Sequence, residues 1–99
     1  ISSITLAELE FGVSNSKSHE RNRNALLAFS TLVEILPFDI QASAEYGEIR
    51  AALEKKGMPI GALDTLIAAH AKSRGLTLVT NNTREFRRVE GLFLEDWMC

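Results

Sequence analysis

Pro59-Ile60-Gly61-Ala62-Leu63-Asp64-Thr65-Leu66-Ile67-Ala68-Ala69-His70-Ala71-Lys72-Ser73-Arg74-Gly75-Leu76-Thr77-Leu78-Val79-Thr80-Asn81-Asn82 is the stretch on which the fold turns. Pro59 and Gly61 mark a loop. Asp64 then heads a compact, Ala-rich helix through Ile67, Ala68, Ala71 and Lys72, and Gly75 ends it. Leu76 to Thr80 is a buried strand by composition, and Asn81-Asn82 is a turn. A helix running into a short apolar strand is half of an α/β unit.

Downstream, Thr83 to Arg88 reads as a short helix and Leu92 to Glu95 as a last strand before Trp97. Upstream, Asp39 is a good N-cap for a helix whose Ala42, Tyr46, Ile49 and Leu53 share one face. Lys55-Lys56-Gly57 closes that helix, with cations against its C-terminal dipole and Gly at C′. Val33 to Phe38 reads as a short strand ended by Pro37, and Ala25 to Phe29 as helical. Ser14 to Asn24 is polar and reads as a turn. Thr5 and Glu8 fit the N-cap and N3 positions of a capping box, opening a helix with Leu6, Leu9 and Val13 on one face. Ile1 to Ile4 reads as the tail of a strand. The order (β)αα-β-α-α-β-α-β predicts an α/β fold, a parallel sheet flanked by helices.

Composition narrows the functions. Ninety-nine residues suit one domain. Eleven basic and thirteen acidic side chains give a net charge of −2, so any nucleic-acid binding must come from a local patch. The single cysteine, Cys99, closes no internal disulfide and builds no zinc cluster, and it has no identifiable base to make it a nucleophile. Apolar runs fall short of the roughly 20 residues of a membrane helix. A cytoplasmic protein is expected. A chain opening on Ile1, with no methionine, further suggests that residues precede it.

In an open parallel sheet ligands bind where strands end and helices begin. That rule selects Glu8, Thr80, Asn81, Asn82 and Asp64. Glu8 and Asp64 would both stand near helix N-termini. Converging carboxylates repel unless a divalent cation neutralises them, and Mg²⁺ suits phosphodiester hydrolysis. The structural alternative is weighty: first-turn acids are favoured by the helix dipole alone, and Glu8 in a capping box needs no other explanation. His70 reads as a packed side chain and His19 as a solvated one. No phosphate-binding Gly-rich loop, nucleophile elbow or His-Glu-x-x-His is present. Lys72, Arg74, Arg84, Arg87 and Arg88 are opposed by one acid, Glu85, and form either a phosphate-gripping stretch or a solvated face.

Three segments together resemble the PIN-domain nucleases. Ile4 to Gly12 is similar to the family's "T-x-x-E-L-x-x-G". Pro59 to Ala71 is similar to "D-x-x-I-A-x-H-A", and Leu78 to Phe86 to "V-T-N-N-x-x-E-F". Leu94-Glu95-Asp96-Trp97 looks like a closing motif. Within the family, the VapC toxins of bacterial toxin–antitoxin pairs are nearest in pattern. The resemblance implies a PIN-like domain over residues 1–99 and a Mg²⁺- or Mn²⁺-dependent endoribonuclease held inactive by a cognate VapB-type antitoxin. It implies Glu8 and Asp64 as metal ligands, with Asn82 and Thr80 orienting water. Arg84, Arg87 and Arg88 would hold the RNA backbone. Asn82 stands where many relatives carry another Asp, which removes one charge and favours a single ion.

Family members open with a central strand ending in an Asp, typically "D-T-N", that binds metal. Its absence here predicts a sheet lacking its first central strand, a domain incomplete at the N-terminus, and a fragment of a longer protein. The endoribonuclease activity is expected of the full-length parent, and the 99-residue chain alone is expected to fall short of it. Two other readings remain: a catalytically inactive PIN-like module that binds an antitoxin or other partner, and a generic small α/β ligand-binding domain. Leu26, Leu27 and Phe29 offer an apolar face for a homodimer or for the core.

Overall fold

The computed structural model describes residues 1–96. Trp97 of the closing motif and Cys99 lie outside the described residues. The elements are α1 (Ser3–Ser14), α2 (His19–Ser30), α3 (Ile40–Lys55), α4 (Ala62–Ser73), β1 (Thr77–Val79), α5 (Thr83–Phe86) and β2 (Phe93–Glu95). They fall into two compact units, Ile1–Pro37 and Phe38–Cys99.

In the first unit, α1 starts earlier than the capping-box pattern places it. Ser2 is the N-cap, and its hydroxyl accepts the Ile4 N–H at 3.1 Å. The cap is fixed by pairing rather than by local pattern. Ser2 forms a parallel bridge with Leu36, Ser3 N–H donates to the Leu36 carbonyl, and Leu36 N–H donates to the Ile1 carbonyl. Thr5 and Glu8 therefore lie inside the helix. The expected strands at 1–4 and 33–38 reduce to this one bridge, because a single bonded residue on each side is too little to build a ladder and Pro37 has no N–H to extend it. The polar stretch 14–24 is also only partly a turn. Helix α2 begins at His19, and Arg23 on it pairs with Glu10 on α1 at 2.5 Å. That hydrogen bond holds the Glu10 carboxyl below its usual range. Val13 and Leu26 are the buried residues of the pair.

In the second unit the expected α3 is found. The Asp39 carboxylate caps it by accepting the Ala42 N–H at 2.9 Å. Ala42, Ile49 and Leu53 are buried along one face. Helix α3 lies against α4, where Ala68 and Ala69 allow close approach. The chain leaves α3 and α4 through Gly57 and Gly75, both at positive φ (67° and 64°), as their C′ positions require. Strands β1 and β2 pair in parallel with Leu78 opposite Leu94, and both leucines pack on the core of Ile49, Leu53, Ala68, Ala69, Phe86 and Val89. Helix α5 forms part of the connection between them, and its Phe86 is buried in that core. No helix among the described residues is long and apolar enough to cross a membrane.

Candidate functional site

In the second unit the candidate site residues stand at the carboxyl end of β1 and the start of α4. Gly61 is the N-cap of α4 and offers no side chain, so Thr65 closes the first turn instead. Its N–H and its hydroxyl both donate to the Gly61 carbonyl, at 2.9 and 2.8 Å. Asp64 stands in this turn, half-buried. Its carboxyl is pushed above the ordinary aspartate range, first by burial and then by the negative charge of Glu85. Among the described residues none of the ion pairs includes either acid.

Glu85 joins Asp64 as a candidate acid that the charge pattern alone does not single out: in sequence it is the lone acid of a basic stretch, whereas α5 leaves Arg84 and Arg87 exposed and Glu85 partly buried. The signal was present: an acid one residue before a buried Phe, in a segment following the strand's carboxyl end.

Thr80 and Asn82 form one turn. The Thr80 hydroxyl accepts the Asn82 N–H at 3.1 Å, and the Thr80 N–H donates to the Glu95 carbonyl at 3.0 Å. Thr80 thus ties the turn to β2 and holds Asn82 at the N-cap of α5, where the Asn82 side chain makes no cap hydrogen bond. Arg84 and Arg87 are exposed. Arg88 is half-buried, and its Nη1 donates to the Pro59 carbonyl at 3.0 Å. His70 is packed as expected, 2% exposed, with its ring edge-on to Phe38 at 5.6 Å between centroids.

In the first unit Glu8 is exposed in the second turn of α1. It borders an apolar groove of about 440 Å³ lined by Leu9, Gly12, Val13, Leu26 and Phe29. Since Glu8 is not at N3, capping does not account for it. His19 is exposed, as a solvated side chain should be.

The donors at hand are carboxylate oxygens, the set a hard divalent cation takes. Asp64 beside Glu85 supplies two of them, and among the described residues no group of three or more His, Cys, Asp or Glu forms a ready cage. The Asp64–Glu85 conflict is the kind a cation relieves.

The PIN domain family matches residues 1–92. The tRNA(fMet)-specific endonuclease VapC of Shigella flexneri is 50% identical over 97 residues, covering 98% of this chain and 74% of that protein. The structure of VapBC2 from Rickettsia felis bound to a DNA fragment from their promoter superposes with a TM-score of 0.95 at 50% identity, covering 98% of this chain and 73% of that one. VapBC-1 from nontypeable Haemophilus influenzae also gives a TM-score of 0.95, at 37% identity, over 99% of this chain and 73% of that one.

Proposed function

This chain belongs to the PIN-domain family, among its VapC ribonucleases, and we propose that it is the RNA-cleaving toxin of a VapBC-type toxin–antitoxin pair, with tRNA(fMet) as the first substrate to test. The observation that carries the reading is the pair Asp64 and Glu85. These are two acids at the start of α4 and on α5, and burial and then the Glu85 charge disfavour the charged form of Asp64. An enzyme keeps such a conflict where a cation or a transition state resolves it.

Asp64, with Glu85 beside it, would hold a divalent cation, Mg²⁺ or Mn²⁺. Glu8 would be the further metal-binding carboxylate that the family motif assigns. When bound, the cation would supply positive charge that offsets the charge developing on the scissile phosphodiester. Thr80 fixes the turn that presents Asn82, whose side-chain amide orients the attacking water. Exposed Arg84 and Arg87 take neighbouring phosphates, which gives affinity without base choice. Exposed Phe11, Leu27 and Leu32 (82% exposed for the last) on the first unit are the apolar surface a VapB-type antitoxin, or a second copy, would cover. The relatives solved as VapBC complexes support the antitoxin.

The test is cleavage of a tRNA(fMet) transcript by the purified full-length protein with millimolar Mg²⁺ and with excess EDTA. Cleavage abolished by EDTA and by Asp64→Asn supports the reading. Cleavage indifferent to EDTA overturns the metal nuclease, and no cleavage at all favours the inactive antitoxin-binding module.

A further inference from the structure

We propose that Arg88 is a positioning residue, a clasp that holds the two candidate metal carboxylates at their working separation, and not a contact to RNA. The inference rests on the functional reading above for what the carboxylates do, and on geometry for the clasp itself.

Each end of the clasp is anchored close to one of the acids. Arg88 follows α5 directly, and its backbone N–H donates to the carbonyl of Glu85 at 3.1 Å. Its guanidinium reaches back across the sequence to the carbonyl of Pro59 at 3.0 Å. Pro59 has no N–H, so that carbonyl is its one backbone hydrogen-bonding group. Two residues later Gly61 caps α4 without a side chain, and Asp64 stands in the turn that follows. Without a side-chain cap, the entry to α4 is held by Thr65 from inside the helix and by Arg88 from outside it.

The bond from Arg88 to Pro59 ties the residue that follows α5 to the segment that enters α4, and so fixes the spacing of those two segments. A guanidinium is suited to this: it is charged at every working pH and its planar fork presents donors in fixed directions. Arg84 and Arg87, on the same short segment, are exposed and remain available to phosphates.

The two roles separate in kinetics and in exchange. For a clasp, Arg88→Ala lowers kcat about tenfold, leaves KM within about twofold, and keeps the salt dependence of RNA binding unchanged. Arg87→Ala should do the reverse, raising KM and reducing the salt slope by about one. Amide hydrogen exchange gives a readout independent of activity. The Thr65 N–H should exchange faster in Arg88→Ala than in the unaltered chain, while amides in the middle of α3 keep their rates. Should Arg88→Ala fail to fold, Arg88→Lys retains the charge but loses the fork. A kcat loss in Arg88→Lys supports the clasp, and full activity overturns it. A raised KM with unchanged kcat in Arg88→Ala, or unchanged exchange at Thr65, also overturns it. If the unaltered full-length protein cleaves no RNA, the functional reading fails, and the exchange result alone decides the clasp.

Discussion

Asp64 feels the charge of Glu85: half-buried at the start of α4, it has its carboxyl pushed up by burial first and then by the Glu85 carboxylate on α5. A raised folded pKa means that the stability linked to this group is fully present below the unfolded value, 3.8, and is lost as pH rises through the folded value. At neutral pH and without metal, the acid therefore works against folding. Asp64→Asn removes that burden while keeping the shape. In EDTA at pH 7 it should melt higher than the unaltered chain, and the difference should vanish as pH falls toward 3.8. Added Mg²⁺ should reverse the order. At a hundredfold excess over Kd, mass action is worth about 2.7 kcal/mol to the protein that binds, and far less to the variant. Thermal melts across pH, with EDTA and with Mg²⁺, check both signs.

Glu8 gives a cleaner separation of function from stability than the capping-box pattern allows. It lies exposed in the second turn of α1, and Ser2 does the capping. Glu8→Gln and Glu8→Ala should both leave stability within about 0.5 kcal/mol. If Glu8 is a metal ligand, RNA cleavage should fall by on the order of a hundredfold or more, the upper end of what is lost when even an outer partner of a ligand is removed. Chemical denaturation and single-turnover cleavage on the same preparations measure the two effects.

What was legible in the sequence was local. Asp39 as a cap and the Ala42, Ile49, Leu53 face follow from a 3.6-residue period, and the structure has them. The paired strands 77–79 and 93–95 follow from β-branched and apolar composition between turn residues, but the burial expected of the first does not. Leu76, Thr77 and Val79 are exposed, and Leu78 is the residue of β1 that packs on the core, because the sheet has only one covered face there. What was not legible depends on residues far apart in the chain. Ser2 and Thr5 are equally good caps by residue type, and the choice is made by the bridge from Ser2 to Leu36. Glu85 and Arg88 look like ordinary members of a charged run. Their relations, one to Asp64 and the other to Pro59, appear only once α4 and α5 are placed together.

The core of the second unit sets its stability. Leu53 is 3% exposed and packs with Ile49, Ala68, Ala69, Phe86 and Val89. Leu53→Ala should cost about 2–5 kcal/mol, the transfer loss plus the cavity left behind. Met at this position keeps most of the volume and should cost less than about 1.5 kcal/mol. Urea melts of the two variants test the ordering.

Two glycines should respond to alanine with opposite signs. Gly91 has a φ of 77°, a left-handed conformation that an L side chain rarely adopts. A Cβ there would also sit 3.2 Å from Cε of Lys72, whose ammonium pairs with Glu45 at 3.7 Å. The lysine tip can yield, so the backbone term dominates, and Gly91→Ala should destabilise by about 1–2 kcal/mol. Gly12 is inside α1 at ordinary helical angles, and a Cβ there would meet nothing within 4 Å. Backbone entropy is then the main term, and Gly12→Ala should stabilise by about 0.5–1 kcal/mol. Equal responses at the two sites would mean that backbone conformation is not what distinguishes them. A loss at Gly12 would mean that the open face of α1 beside Glu8 is filled in solution, which denaturation at several protein concentrations would reveal as a midpoint that moves with concentration.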